Sequence, residues 1–335
     1  MNMIKKCYFK IIKTVVIYLE ISYTNSIKEL KELKNMKFDK RRIIHCFMWK
    51  HQDIIKNIKD IKDQGFTSIL ISSVQRLKCD FDESPWYFTY QPLGFEKIGN
   101  RFGSEEDLKE LCKVAKDNGL EVLVDVVSVN IANAGGGDLE HVLHYQVDKL
   151  LVEDKTLFRE PCRVQNWHDR NEVVNKTIGM PSLNFYNPKT QDIIIDFLNR
   201  LIDLGVGGFR MDSMKSIPTV QEGCDFLHKL KDLQDSRNVF IMGEVIFSPS
   251  EVIEMYTPYI HVLTEGNTWD KDKLVTFSLS HDTDYEFGMT QGMSDDMIIN
   301  EYCLLNEHYK NTMLYLRPYC NYWKDHRIRN SNKNY

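Results

Sequence analysis

Apolar residues change their spacing repeatedly along this chain. From about residue 43, short unbroken apolar runs alternate with stretches in which apolar side chains recur every three or four positions. The runs suit buried strands and the recurring stretches suit helices with one buried face. This pattern predicts strands over 43–49, 67–71, 121–127, 206–211, 239–242, 259–263, 274–279 and 312–316. Helices are predicted over 53–64, from Ser104 to the stop at Gly119, and over 191–204, 220–233 and 295–307. Ile54, Ile55, Ile58 and Ile61 mark the buried face of the first, and Gly65 ends it. Ser104-Glu105-Glu106-Asp107 reads as a capping box, in which the serine and the acid three residues on satisfy each other's backbone N–H groups.

About eight strands joined by helices predict an α/β fold, a closed parallel (β/α)8 barrel. Residues 131–181 break the alternation with a glycine run, Gly135-Gly136-Gly137, followed by polar sequence. A long structureless loop is rare in a compact domain, so this reads as a small inserted domain after strand 3. The expected organisation is an N-terminal extension over 1–40, the barrel over 41–130 and 182–318, the insert over 131–181 and a loose polar tail over 319–335.

Composition narrows the function. Apolar content of 42% is ordinary for a packed enzyme, and a net charge of −5 argues against a nucleic-acid partner. Eight scattered cysteines form no CxxC pair, which speaks against zinc and for buried thiols in a reducing, cytoplasmic setting, with secretion as the alternative. Lys5, Lys6 and Lys10 precede an apolar stretch at 11–19, but Lys13 interrupts it and Glu20 closes it. That stretch is too short to span a membrane, lacks a cleavage signal, and reads as an amphipathic extension.

The candidate chemistry sits at strand ends. Gly208-Phe209-Arg210-Met211-Asp212, Gly243-Glu244 and Ser280-His281-Asp282 each deliver a carboxylate where an apolar run stops. Acids at the C-terminal ends of strands are how a (β/α)8 barrel builds an active site. Asp, Glu, Asp in that order suits sugar-bond chemistry: one acid attacks, one donates a proton and one holds the ring. Arg210 is two residues before Asp212, so both side chains leave the strand on one face. The permanent charge of Arg210 is expected to keep Asp212 ionised, while a drier pocket keeps the other acid protonated. Trp86, Tyr87 and Tyr90 suit either stacking on sugar rings or packing at the barrel rim; His141, His144, His168, His228 and His308 fall in no such pattern.

With Gly208 to Lys215, Gly243-Glu244-Val245 and Ser280-His281-Asp282 in this order, the chain resembles the α-amylase family, the family 13 glycoside hydrolases. Tyr90-Gln91-Pro92, Arg101 to Leu108 and Met180 to Asn184 support the resemblance, which runs from about residue 42 to 318. It implies a retaining hydrolase of α-1,4-glucosidic bonds in starch-like or malto-oligosaccharide substrates. Asp212 would be the nucleophile, Glu244 the acid and base, and Asp282 the group that holds the distorted sugar. Arg210, His281, Tyr90, Asp125, Asn130 and Lys215 would bind substrate, Lys215 on the leaving side.

Departures from the family qualify the reading. The strand-3 motif reads Asp125-Val126-Val127-Ser128-Val129-Asn130, with Val129 in place of an asparagine that usually binds calcium and Asn130 in place of a substrate-contacting histidine. Asn130 and Asp169 are the replacement calcium ligands to test. Ser216 stands where many relatives carry histidine. The chain stops soon after its last strand, so a final barrel helix and a C-terminal β-domain are expected to be missing. An open barrel edge would favour self-association. The alternatives are a catalytically impaired or truncated glucan-binding relative, and an exo-acting α-glucosidase or transglycosylase.

Overall fold

A computed structural model describes residues 38–266, 268–286, 293–317 and 320–334. The expected N-terminal extension, with its lysines and apolar stretch, therefore lies almost wholly outside the described residues. Eight parallel strands close a barrel in chain order: β1 (Arg41–Cys46), β2 (Ser68–Ile71), β3 (Glu121–Val126), β4 (Gly208–Met211), β5 (Phe240–Glu244), β6 (His261–Leu263), β7 (Leu274–Phe277) and β8 (Asn311–Tyr315). The helices are α1 (His51–Asp63), α2 (Glu105–Asp117), α3 (Lys149–Glu153), α4 (Arg170–Asn175), α5 (Pro188–Asp203), α6 (Phe226–Arg237), α7 (Ser250–Glu254), α8 (Asp295–His308) and α9 (His326–Asn334).

Local chemistry accounts for the helix ends. Ser104 and Asp107 form the predicted capping box of α2. Asn187 caps α5, whose first residue is Pro188, a position where the missing N–H costs nothing. Inside the barrel, Ile43, Leu70, Leu123, Phe240, Met242, Leu263, Val275 and Met313 form one apolar cluster. Gly208 has no room for a side chain there: a Cβ would come 2.2 Å from the Phe240 carbonyl oxygen. A larger cluster lies between the strands and the helices, built from residues such as Ile54, Leu108, Phe197, Phe226 and Ile298.

Two expectations about the C-terminal region are corrected. The barrel has no open edge, because β1 pairs with β8 from Arg41↔Asn311 to His45↔Tyr315. This removes the reason for expecting self-association through an incomplete barrel. The segment read as a loose tail at 319–335 carries α9, the helix expected to be missing. Ile328 and Trp323 are buried, and Trp323 packs edge-on against Trp49. Asn332 accepts a 2.8 Å hydrogen bond from the Tyr302 hydroxyl, and Ser331 accepts one of 3.0 Å from Asn306. Only a few apolar residues anchor this polar helix, so its periodicity is weak in the sequence.

Residues 131–181 leave β3 and return to α5 with little regular structure beyond α3, α4 and single-residue bridges such as Phe158↔Leu183.

Candidate active site

The register of the barrel assembles the site. Asp125 on β3 lies beside Arg210 on β4, and Met211 lies beside Gly243 on β5, so Asp212 and Glu244 leave adjacent strands at the same rim. Arg210 is 2% exposed and sits at the centre. Its Nη1 donates to both oxygens of Asp125, at 2.7 and 2.9 Å, and to Asp212 at 2.9 Å. Its Nη2 donates to Glu244 Oε1. One guanidinium fork thus holds both acids, which keeps their nearest oxygens about the width of that fork apart.

The turn after β4 contributes as well. Ser213 adopts a left-handed backbone conformation, φ 50° and ψ 35°, rare for a residue with a side chain. Its N–H donates to Glu244 Oε2 at 2.9 Å. Backbone strain of this kind persists where the surroundings hold it, often at functional sites.

Aromatic rings form the neighbouring wall. The His281 ring is stacked on Tyr90 at 4.9 Å and on Phe47 at 4.8 Å, with Trp86 edge-on at 5.6 Å. The Tyr90 hydroxyl donates to Asp125 at 3.0 Å. His281 Nε2 lies 3.4 Å from Asp282, whose side chain is 20% exposed. Of the rim aromatics, Tyr90 and Trp86 join this cluster, while Tyr87 leans outward on Phe88.

The electrostatics differ from the sequence expectation. Burial pushes the Asp212 carboxyl well above its ordinary value; Arg210 pulls it down, and Glu244, Asp125 and Asp282 push it up. Asp125 is raised for the same first reason, burial, against the pull of Arg210. The guanidinium, expected to keep Asp212 ionised, is shared among three carboxyls and does not outweigh desolvation. Burial also holds His281 well below the usual imidazole range, so it is neutral at pH 7, and Arg210 and His45 add to this.

Lys215 lies in the short helical turn that follows β4. Its ammonium donates to the Ile246 carbonyl at 3.2 Å and sits 5.3 Å from the Trp167 ring and 5.8 Å from that of Phe247. Trp167 and Phe247 are 51% and 52% exposed, unusual for such large rings. Sequence reasoning passed over both: Trp167 falls in the irregular insert, and Phe247 follows a strand with no periodic cue. It also passed over His45, buried beside His281 and Tyr315 with both ring nitrogens unpartnered among the described residues. A groove of about 320 Å³ lined by Phe95, Asp148, Leu151, Phe197 and Arg200 shares no residue with these acids.

The proposed calcium ligands each have other partners. Asn130 is buried on its bridge to Ser182, and its oxygen accepts the Ser182 hydroxyl at 3.2 Å. Asp169 is exposed, and its carboxylate caps α4 by accepting from the Asn171 and Glu172 N–H groups. Val129 is fully buried and offers no side-chain oxygen. Among the described residues no group of three His, Cys, Asp or Glu is placed to hold a metal. Calcium takes six to eight oxygens, so these residues do not fit it.

A buried arginine shared by rim acids, at the C-terminal ends of parallel strands, marks the candidate active site of a (β/α)8 barrel. Comparison with known proteins agrees. Residues 50–135 match the family description "Alpha amylase, catalytic domain". The chain is 33% identical to an α-amylase of Clostridium acetobutylicum over 239 residues, 68% of this chain and 30% of that protein. It is 29% identical to an α-amylase of Tenebrio molitor over 232 residues, 65% of this chain and 48% of that protein. The matches thus cover less than half the length of either relative. In fold it is similar to the α-amylase of Malbranchea cinnamomea, with a TM-score of 0.71 at 17% identity, covering 89% of this chain and 77% of that one. The α-amylase of Geobacillus thermoleovorans, complexed with acarbose, gives 0.68 at 16% identity, covering 88% and 78%. The chain is a family 13 α-amylase-like protein.

Proposed function

We propose that this protein is a retaining glycoside hydrolase of α-1,4-glucan or malto-oligosaccharide chains. The observation that carries the reading is Asp212 and Glu244 held by one guanidinium at the barrel rim. Retaining glycosidases need two carboxyl groups about 5–5.5 Å apart, one to attack the anomeric carbon and one to protonate the leaving oxygen. Asp212 takes the first role. Glu244 takes the second, then activates water to release the sugar.

The clustering of acids suits the same reaction. Three carboxyls, those of Asp125, Asp212 and Glu244, accept from one guanidinium, and Asp282 adds to the field at Asp212. An acid-rich site of this kind favours an oxocarbenium-like transition state over a neutral ground state. Neutral His281 and Asp282 suit sugar hydroxyls in the cleaved ring's site, and Lys215 with Trp167 and Phe247 suits the leaving side. The seven cysteines among the described residues are free, which suits a reducing compartment such as the cytoplasm. No helix among the described residues is long and apolar enough to cross a membrane.

The test is release of reducing ends from soluble starch and maltoheptaose. Glu244→Gln is expected to reduce the rate by about 10²–10⁴-fold, and mixed short products would show cleavage within the chain. Wild-type rates in Glu244→Gln, or a folded protein without turnover, would sink the reading; glucan binding without turnover would point instead to a binding protein.

A further inference from the structure

The carbonyl oxygens of the turn that follows the proposed nucleophile point at two arginines of the insert. Arg170 donates to the Lys215 and Ile217 carbonyls, the latter at 3.1 Å, and Arg159 donates through Nη2 to the Ser216 carbonyl between them at 2.6 Å. Three successive carbonyls are thus held by guanidinium groups from outside the barrel.

The two arginines differ in kind. Arg170 has an ordinary anionic partner, Glu222, at 2.7 and 2.9 Å, and also meets the Tyr256 hydroxyl. Arg159 is 9% exposed and forms no ion pair with a carboxylate among the described residues. Its remaining bonds also go to carbonyls: Nε to Leu183 at 3.1 Å, and Nη1 to Val173 at 3.3 Å and Lys176 at 2.8 Å. Its own N–H donates to the Ser182 carbonyl at 2.9 Å.

Burying a charge without a counter-ion is costly unless fixed dipoles replace the lost water. Here four carbonyls do so, and two of them belong to the C-terminal end of α4, where the helix leaves carbonyls unpaired and favours a cation. Burial lowers Arg159 to about 10, which still leaves it protonated at neutral pH. Carbonyls from three separate segments converging on one buried positive charge is the arrangement expected around an oxygen-ligated metal ion. In this chain the centre is a side chain, while Val129 has no side-chain oxygen and that of Asn130 is taken by Ser182.

We propose that Arg159 is a built-in cation that joins the insert to the catalytic rim and positions the Asp212–Ser216 turn without a divalent metal. Moving that turn would displace Ser213, whose N–H holds Glu244. The effect on turnover rests on the glycosidase reading; the effect on the turn itself does not.

The test uses the full chain. Thermal unfolding of the wild type is measured in EDTA and again with added calcium, and amide exchange over 213–217 is followed by mass spectrometry. The expected result is a melting shift below about 2 °C either way. Exchange over 213–217 should become at least about tenfold faster in Arg159→Met, with a smaller change in Arg159→Lys, since hydrogen bonds to a charged group are lost. In Arg159→Ala, kcat on maltoheptaose should fall while KM changes less, and added guanidinium, but not calcium, should restore it. A wild type that loses stability in EDTA and regains it with calcium overturns the proposal, and this measurement stands even if the variants fail to fold. So does a folded Arg159→Met whose 213–217 amides exchange like the wild type. A wild type without turnover that still shows the EDTA and exchange results sinks the glycosidase reading and supports the role of Arg159.

Discussion

Arg210 does the most at the scale of the single residue. It neutralises Asp125, orients Asp212 and holds Glu244, all from a position sealed by the barrel. Removing one partner of a buried charge cluster costs more than the pair contributes, because the remaining charges stay buried. Arg210→Met should therefore destabilise the protein by about 3–5 kcal/mol, read as a lower urea midpoint, and should abolish turnover. A midpoint within error of the wild type would mean the acids are neither buried nor paired as described. Asp212 and Glu244 were legible in the sequence because each stands at the end of a strand and Arg210 precedes Asp212 by one pleat, whereas Asp282 lies beyond β7. How the charge is divided was not legible: that Arg210 reaches Glu244 depends on strand register, and that burial raises Asp212 depends on what surrounds it. Arg159 was invisible for a related reason, since its partners are backbone carbonyls that carry no residue identity.

Elements were legible where they repeat and obscure where they do not. The strands were readable because each is almost wholly buried, as β2 shows with Ser68, Ile69, Leu70 and Ile71 all inaccessible. The capping box of α2 was readable because two residues three apart suffice to specify it. Helix α9 was not, because its segment, His326 to Asn334, is polar apart from Ile328 and is held by Asn–Tyr and Asn–Ser contacts from α8. Its contribution can be measured. Ile328 is fully buried, so Ile328→Ala should cost about 2–5 kcal/mol in unfolding free energy, seen as a lower melting temperature. An unchanged melting temperature would restore the reading of this segment as a loose tail.

At the scale of the whole molecule, the closed barrel provides a rigid rim and the insert supplies side chains that a bare barrel lacks. Trp167 reaches Lys215 from the insert, Phe247 reaches it from the loop after β5, and two arginines fasten the insert to the turn after β4. Rigid strands hold the acids while less regular segments shape the cleft, the usual division of labour in this architecture. The most direct test of the account is covalent trapping. A 5-fluoro-α-glucosyl fluoride should label the protein once, and mass spectrometry of the digest should place the sugar on Asp212, with no label in Asp212→Asn. A folded, substrate-binding protein that forms no adduct, or an adduct on another residue, would contradict the assignment of Asp212 as nucleophile.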